Sequence, residues 1–106
     1  MRSLAAMTML AATATVAAEP GIETRVDAER LERLVRHDCG SCHGMTLKGG
    51  LGTPLTPAAL AHADAALLTE IILDGIPGTP MPPWRPLLST DEARWIADYL
   101  LEGGPE

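Results

Sequence analysis

Four stretches of the chain place apolar residues at helical spacing, and no stretch of useful length alternates as a strand does. From Asp27 to about Asp38, Leu31, Leu34 and Val35 fall on one face. Glu29, Arg30, Glu32, Arg33 and Arg36 lie elsewhere, with Asp27 as N-cap. Thr56-Pro57 opens a short Ala-rich helix through about His62, with Thr as cap and Pro in the first turn. Asp64 caps a third, whose apolar stripe is Leu67, Leu68, Ile71 and Ile72 and whose stop is Gly75. Ser89-Thr90-Asp91-Glu92 is a capping box that launches the last, with Ala93, Ile96, Ala97 and Leu100 on one face. Trp95 and Tyr99 stand one turn apart beside that face, and Gly103 ends the helix. The pattern predicts an all-α chain with a glycine-rich loop after residue 43. A longer proline-rich loop, "GIPGTPMPPWRP", lies between the third and fourth helices.

Residues before the first helix change the picture of what folds. Met1–Ala18 has a short n-region with Arg2, an apolar run from Leu4 to Val16 and a small-residue end, Val16-Ala17-Ala18. It reads as a secretory signal peptide cut after Ala18, with 19–26 a flexible N-terminus and 27–104 the folded domain. The rival reading is an uncleaved anchor helix. No later run is long enough to span a membrane, so the mature chain is expected to be soluble and periplasmic. Cleavage leaves about 88 residues, a size at which a staple, metal or cofactor usually supplements the core. Aromatic residues cannot fill that role, because there is no Phe and only two Trp and one Tyr.

The formal net charge of −6 argues against nucleic acid and is compatible with solubility or a basic protein partner. The only cysteines are Cys39 and Cys42. A disulfide, a thioredoxin-type pair and a metal clip are all open to two cysteines so spaced in an exported chain. The next residue narrows the choice: Cys39-Gly40-Ser41-Cys42-His43 matches C-x-x-C-H, the attachment signature of haem c. The two thiols add to the haem vinyl groups and His43 supplies the proximal imidazole. A thioredoxin-like pair wants a preceding strand. A zinc site wants about four ligands, and only His37 and His62 could join the three residues of the motif.

After cleavage two methionines remain, Met45 and Met81. Met45 follows His43 by two residues, on the same side of the ring, and is read as a packing residue. Met81 is far enough along the chain to reach the opposite face, and its flanking prolines stiffen the backbone that would present a weak thioether ligand. The alternatives are Met81 as core filler with five-coordinate iron, and ligation by His62.

With its order of helix, C-x-x-C-H, glycine-proline loop, middle helices, methionine loop and final helix, the chain resembles the class I cytochromes c over essentially its whole mature length. That resemblance implies about four helices around one covalently attached haem. It implies a carbonyl contributed by Pro54 of "GLGTPL" to the second nitrogen of His43, although Thr53 stands where glycine and proline are usually adjacent. It implies Trp84 beside a haem edge or propionate, Arg85 paired with a propionate, and a crossing of the first and last helices in which Leu31 and Val35 meet Trp95 and Tyr99. "HDCGSCHGMTLKGGLG", "GTPMPPW" and "LSTDEARWIADYL" look most like the small periplasmic monohaem cytochromes encoded with cytochrome cd1 nitrite reductase.

The expected function is therefore outer-sphere electron transfer, with His43 and Met81 on the iron and no catalysis. Ser41, Gly44 and Lys48 would frame a small docking surface at the haem edge. The expected partner is a redox protein such as cytochrome cd1 nitrite reductase, met by a monomer. The alternatives are an accessory role in d1-haem biogenesis, electron transfer for another periplasmic dehydrogenase or oxidase, and a ligand-binding haem. The last would need distal polar groups, for which only Thr79 is placed.

Overall fold

The computed structural model describes Ser3, residues 5–13 and residues 26–105. The cleavage site after Ala18 and residues 19–25 of the expected flexible N-terminus lie outside them. Residues 5–13 are exposed and carry no regular secondary structure. Among the described residues no helix is long and apolar enough to cross a membrane.

The first helix starts where its cap predicts. The Asp27 carboxylate accepts the Arg30 amide at 3.1 Å and α1 runs over Ala28–Leu34. It does not stop near Asp38. The backbone widens into a π-helical turn, Val35–Cys39, in which the Gly40 amide reaches back to the Val35 carbonyl, and continues as α2, Gly40–His43. One helical path thus carries Cys39, Cys42 and His43. A π turn shifts the register of the side chains beyond it, and such turns are frequent at functional sites.

The Thr56–His62 helix is a correction. Thr56 does cap, since its hydroxyl accepts the Ala59 amide at 3.3 Å, but residues 57–62 form successive turns. After one 5→1 bond, Leu60 to Thr56, the bonds tighten to Ala61–Ala58 and Ala63–Leu60. Asp64 opens the next helix immediately, leaving too few residues to repay nucleation.

Helix α3, Ala65–Asp74, is capped by Asp64, whose carboxylate accepts the Leu67 amide at 2.8 Å. Its buried face is Leu68, Thr69 and Leu73; Ile71 and Ile72 are half-buried and Leu67 is exposed. The expected stripe is therefore rotated, because α4 covers α3 along the 68–73 side. Thr69 is tolerated there because its hydroxyl donates to the Ala65 carbonyl at 2.6 Å.

Helix α4, Thr90–Leu101, has both bonds of its capping box: Ser89 Oγ accepts the Glu92 amide at 3.1 Å and Glu92 Oε1 accepts the Ser89 amide at 2.9 Å. It packs chiefly against α3 and crosses α1. Ala93, Ile96, Ala97 and Leu100 are buried as the spacing predicts, in one cluster with Leu31 of α1, Val35 of the π turn, and Leu60, Leu68, Leu73 and Leu88. Trp95 and Tyr99 stack on each other, ring centroids 4.8 Å apart, and lie half-buried against this cluster. Glu92 also forms an ion pair with Arg30, joining the first turns of the two crossing helices. The described residues contain no strand.

Candidate functional site

The motif residues sit at the end of the helical path, and the following loop folds back onto that end. The last carbonyls of a helix lack partners within it. Here Gly49 donates to the His43 carbonyl at 2.9 Å and Gly52 to the Cys42 carbonyl at 2.7 Å. Gly52 lies so close to the imidazole that a Cβ on it would stand 2.7 Å from His43 Nδ1. Nδ1 itself is 2.7 Å from the carbonyl oxygen of Thr53. A carbonyl only accepts, so Nδ1 carries the proton and the neutral ring keeps its lone pair on Nε2.

The partner is Thr53 and not Pro54, which corrects the carbonyl expected from the family pattern. Pro54 acts one residue on. It restricts Thr53 to extended backbone, and its ring lies where a Cβ on Gly49 would meet it at 3.4 Å.

The Cys39 side chain is partly buried and that of Cys42 exposed. Before haem is attached, burial, and then the Asp38 carboxylate, push the Cys39 thiol up to about 11, which makes it poorly suited to a thiolate metal site. No group of three or more His, Cys, Asp or Glu side chains among the described residues could hold a metal ion. His37 and His62 are exposed. Met45 is largely exposed, and its sulfur lies 3.7 Å from where a Cβ on Gly40 would be, beside the C-x-x-C turn.

Met81 is half-buried in a loop closed onto the end of α3. The Ile76 amide donates to its carbonyl at 3.3 Å, and its own amide donates to the Thr79 hydroxyl at 3.3 Å. Trp84 is half-buried against the core, its amide on the Ile72 carbonyl at 3.0 Å. The Arg85 guanidinium grips Asp74 in a fork, Nε to Oδ1 at 2.8 Å and Nη2 to Oδ2 at 3.0 Å. Asp74 was not singled out in the sequence. The available signal was an acid at the C-terminal end of a helix with no basic residue in its last turn.

This donor set suits a covalently attached haem: two thiols at C-x-x-C spacing, then an imidazole with Nε2 free. The sequence profile described as "Cytochrome C oxidase, cbb3-type, subunit III" matches residues 26–100. The chain is 54% identical over 102 residues, 96% of each protein, to cytochrome c55X of Paracoccus denitrificans (strain Pd 1222). The chain belongs to the NirC-like c-type cytochromes. A solved c-type cytochrome NirC is 51% identical, with a TM-score of 0.69 over 73% of this chain and 94% of that one. The dihydro-heme d1 dehydrogenase of Pseudomonas aeruginosa is 35% identical over 74 residues, 70% of this chain but 15% of that protein.

The fold of this NirC-like cytochrome is accordingly the all-α cytochrome c fold, and its cofactor is one covalently bound haem c. Such proteins carry electrons. Bound haem supplies one-electron exchange between ferrous and ferric iron, and the chain's part is to attach and hold it.

Proposed function

We propose that this cytochrome is a periplasmic monohaem electron carrier that works with cytochrome cd1 nitrite reductase, Met1–Ala18 being a cleaved export signal. Cys39 and Cys42 attach the haem, His43 is the proximal ligand and Met81 the sixth. The observation that carries this reading is the His43 Nδ1 to Thr53 carbonyl bond. It holds the imidazole in the tautomer and orientation a permanent axial ligand needs, and it raises the basicity of Nε2.

Met81 suits the opposite position because both of its backbone polar groups are bonded within its own loop. A ligand held in place beforehand loses little freedom on coordination, so little has to reorganise when the electron arrives or leaves. Trp84 packs on the core beside that loop. Lys48 and Ser41 are exposed near the motif and suit a small docking surface.

The ligand assignment is tested by the ferric spectrum. A low-spin protein with an Fe–S charge-transfer band that disappears in Met81→Ala supports it. A high-spin spectrum with rapid cyanide binding overturns it.

Likeness to a part of a dihydro-heme d1 dehydrogenase favours a second role, supplying or removing electrons during maturation of d1 haem. Nitrite turnover by pre-assembled reductase, with and without this cytochrome, separates the two. Turnover that depends on the cytochrome supports delivery. Turnover that is independent of it, with d1 haem missing from reductase made in its absence, supports maturation.

A further inference from the structure

Helix α3 ends badly by its own chemistry. Asp74 is its last residue and Glu70 lies one turn before, at the end where the helix dipole is negative, and the last turn has no basic side chain. The cation comes from eleven residues away. Arg85 meets the Asp74 carboxylate with a two-bond fork, at 2.8 and 3.0 Å.

The backbone closes the same joint. Pro82 and Pro83 have no amide hydrogen, so the first donors after Met81 are Trp84 and Arg85. Both bond to α3, Trp84 to the Ile72 carbonyl and Arg85 to the Leu73 carbonyl, each at 3.0 Å. The Gly75 amide takes the Ile71 carbonyl at 2.8 Å, so three carbonyls of the last turn are occupied by the turn and the loop. Gly75 has φ +68°, and a Cβ there would stand 2.6 Å from the Met81 carbonyl oxygen. The Met81 loop is thus pressed onto the turn that ends α3.

Inside the loop, Thr79 is the bridging group. Its hydroxyl donates to the Ile76 carbonyl at 2.7 Å and accepts the Met81 amide at 3.3 Å. Prolines and Thr79 oppose rearrangement within the loop. The contacts to α3 oppose its swinging away as one body.

We propose that Asp74 and Arg85 latch the Met81 loop to the end of α3, with Thr79 stiffening it from inside, so that the three are positioning residues for Met81 as an iron ligand. This rests on the reading of Met81 as the sixth ligand. The paired side chains are each about half exposed, at 53% and 54%, so the latch weakens as salt screens it.

The test uses the ferric holoprotein. At saturating imidazole, which replaces Met81 on the iron, the observed rate is the rate at which the loop opens. Wild type is compared with Asp74→Asn, Arg85→Gln, Thr79→Val and the exchange Asp74→Arg with Arg85→Asp. Amide hydrogen exchange at Trp84 and Arg85 is followed in parallel. Each single change at the pair is expected to quicken opening roughly fivefold at low salt, the upper end for an exposed pair. That difference should shrink at high salt, and the exchanged pair should return most of it. Thr79→Val should quicken opening at every salt concentration. Unchanged opening rates in Asp74→Asn and Arg85→Gln, in a wild type that shows the Fe–S band, would overturn the latch alone. A wild type without that band overturns the Met81 assignment, and the latch with it, before any variant is compared.

Discussion

His43 Nδ1 lies 2.7 Å from the carbonyl oxygen of Thr53, and Gly52, the residue before it, approaches the same nitrogen closely enough to leave no room for a Cβ. The loop therefore touches the imidazole at two successive residues. Pro54 then keeps Thr53 extended.

Replacing Pro54 by Ala relaxes Thr53 and weakens that bond. A less basic Nε2 stabilises ferric iron less, so the reduction potential should rise by tens of millivolts, each tenfold loss of ferric preference being about 59 mV. Redox titration of the holoprotein checks it, and a fall in potential would contradict the assigned role. Gly52→Ala should act more severely, because its Cβ would stand 2.7 Å from the ring nitrogen, and should reduce the yield of low-spin protein.

The haem-free chain should show its two cysteines as unlike. Cys42 is exposed, whereas burial and Asp38 raise Cys39 from the ordinary 9.0 to about 11, so iodoacetamide should label Cys42 first. The folded chain binds the Cys39 proton more tightly than the unfolded chain does. Its contribution to stability is therefore full below pH 9 and is lost as pH rises from about 9 to about 11. Two units correspond to roughly 3 kcal/mol. Denaturant titrations across that range should show the loss in the haem-free chain, and Cys39→Ala should abolish it.

Ser89→Ala removes the acceptor for the Glu92 amide and should cost about 1 kcal/mol, or about 5 °C in Tm for a domain of this size. Glu92→Gln keeps a side chain able to accept the Ser89 amide while weakening the ion pair with Arg30. It should cost only a few tenths of a kcal/mol, since Arg30 is half exposed. Thermal melts that rank Glu92→Gln below Ser89→Ala would show the ion pair, and not the cap, to be the stronger tie.

Signals carried by a few neighbouring residues were legible. Asp27, Asp64 and Ser89 all cap the helices expected of them, Gly75 and Gly103 stop theirs, and α4 buries the four residues its spacing names. C-x-x-C-H announced the cofactor. The missed features depended on where a neighbouring element begins, on a partner far along the chain or on what covers a face. Thr56 caps only a series of turns, α1 runs through a π turn to His43, and α3 is rotated toward α4. The carbonyl on His43 was displaced by one residue, because the path of a glycine-rich loop is not set by its own torsional preferences.

Sequence alone determined the helical class, the capping residues, the attachment motif and the stiffness of the backbone around Met81, because each follows from bonding or torsion within a few residues. Tertiary structure decided which carbonyl holds His43 and which acid holds Arg85. Those pairings arise only when the loops close onto the carbonyls and charge left over at the ends of α2 and α3.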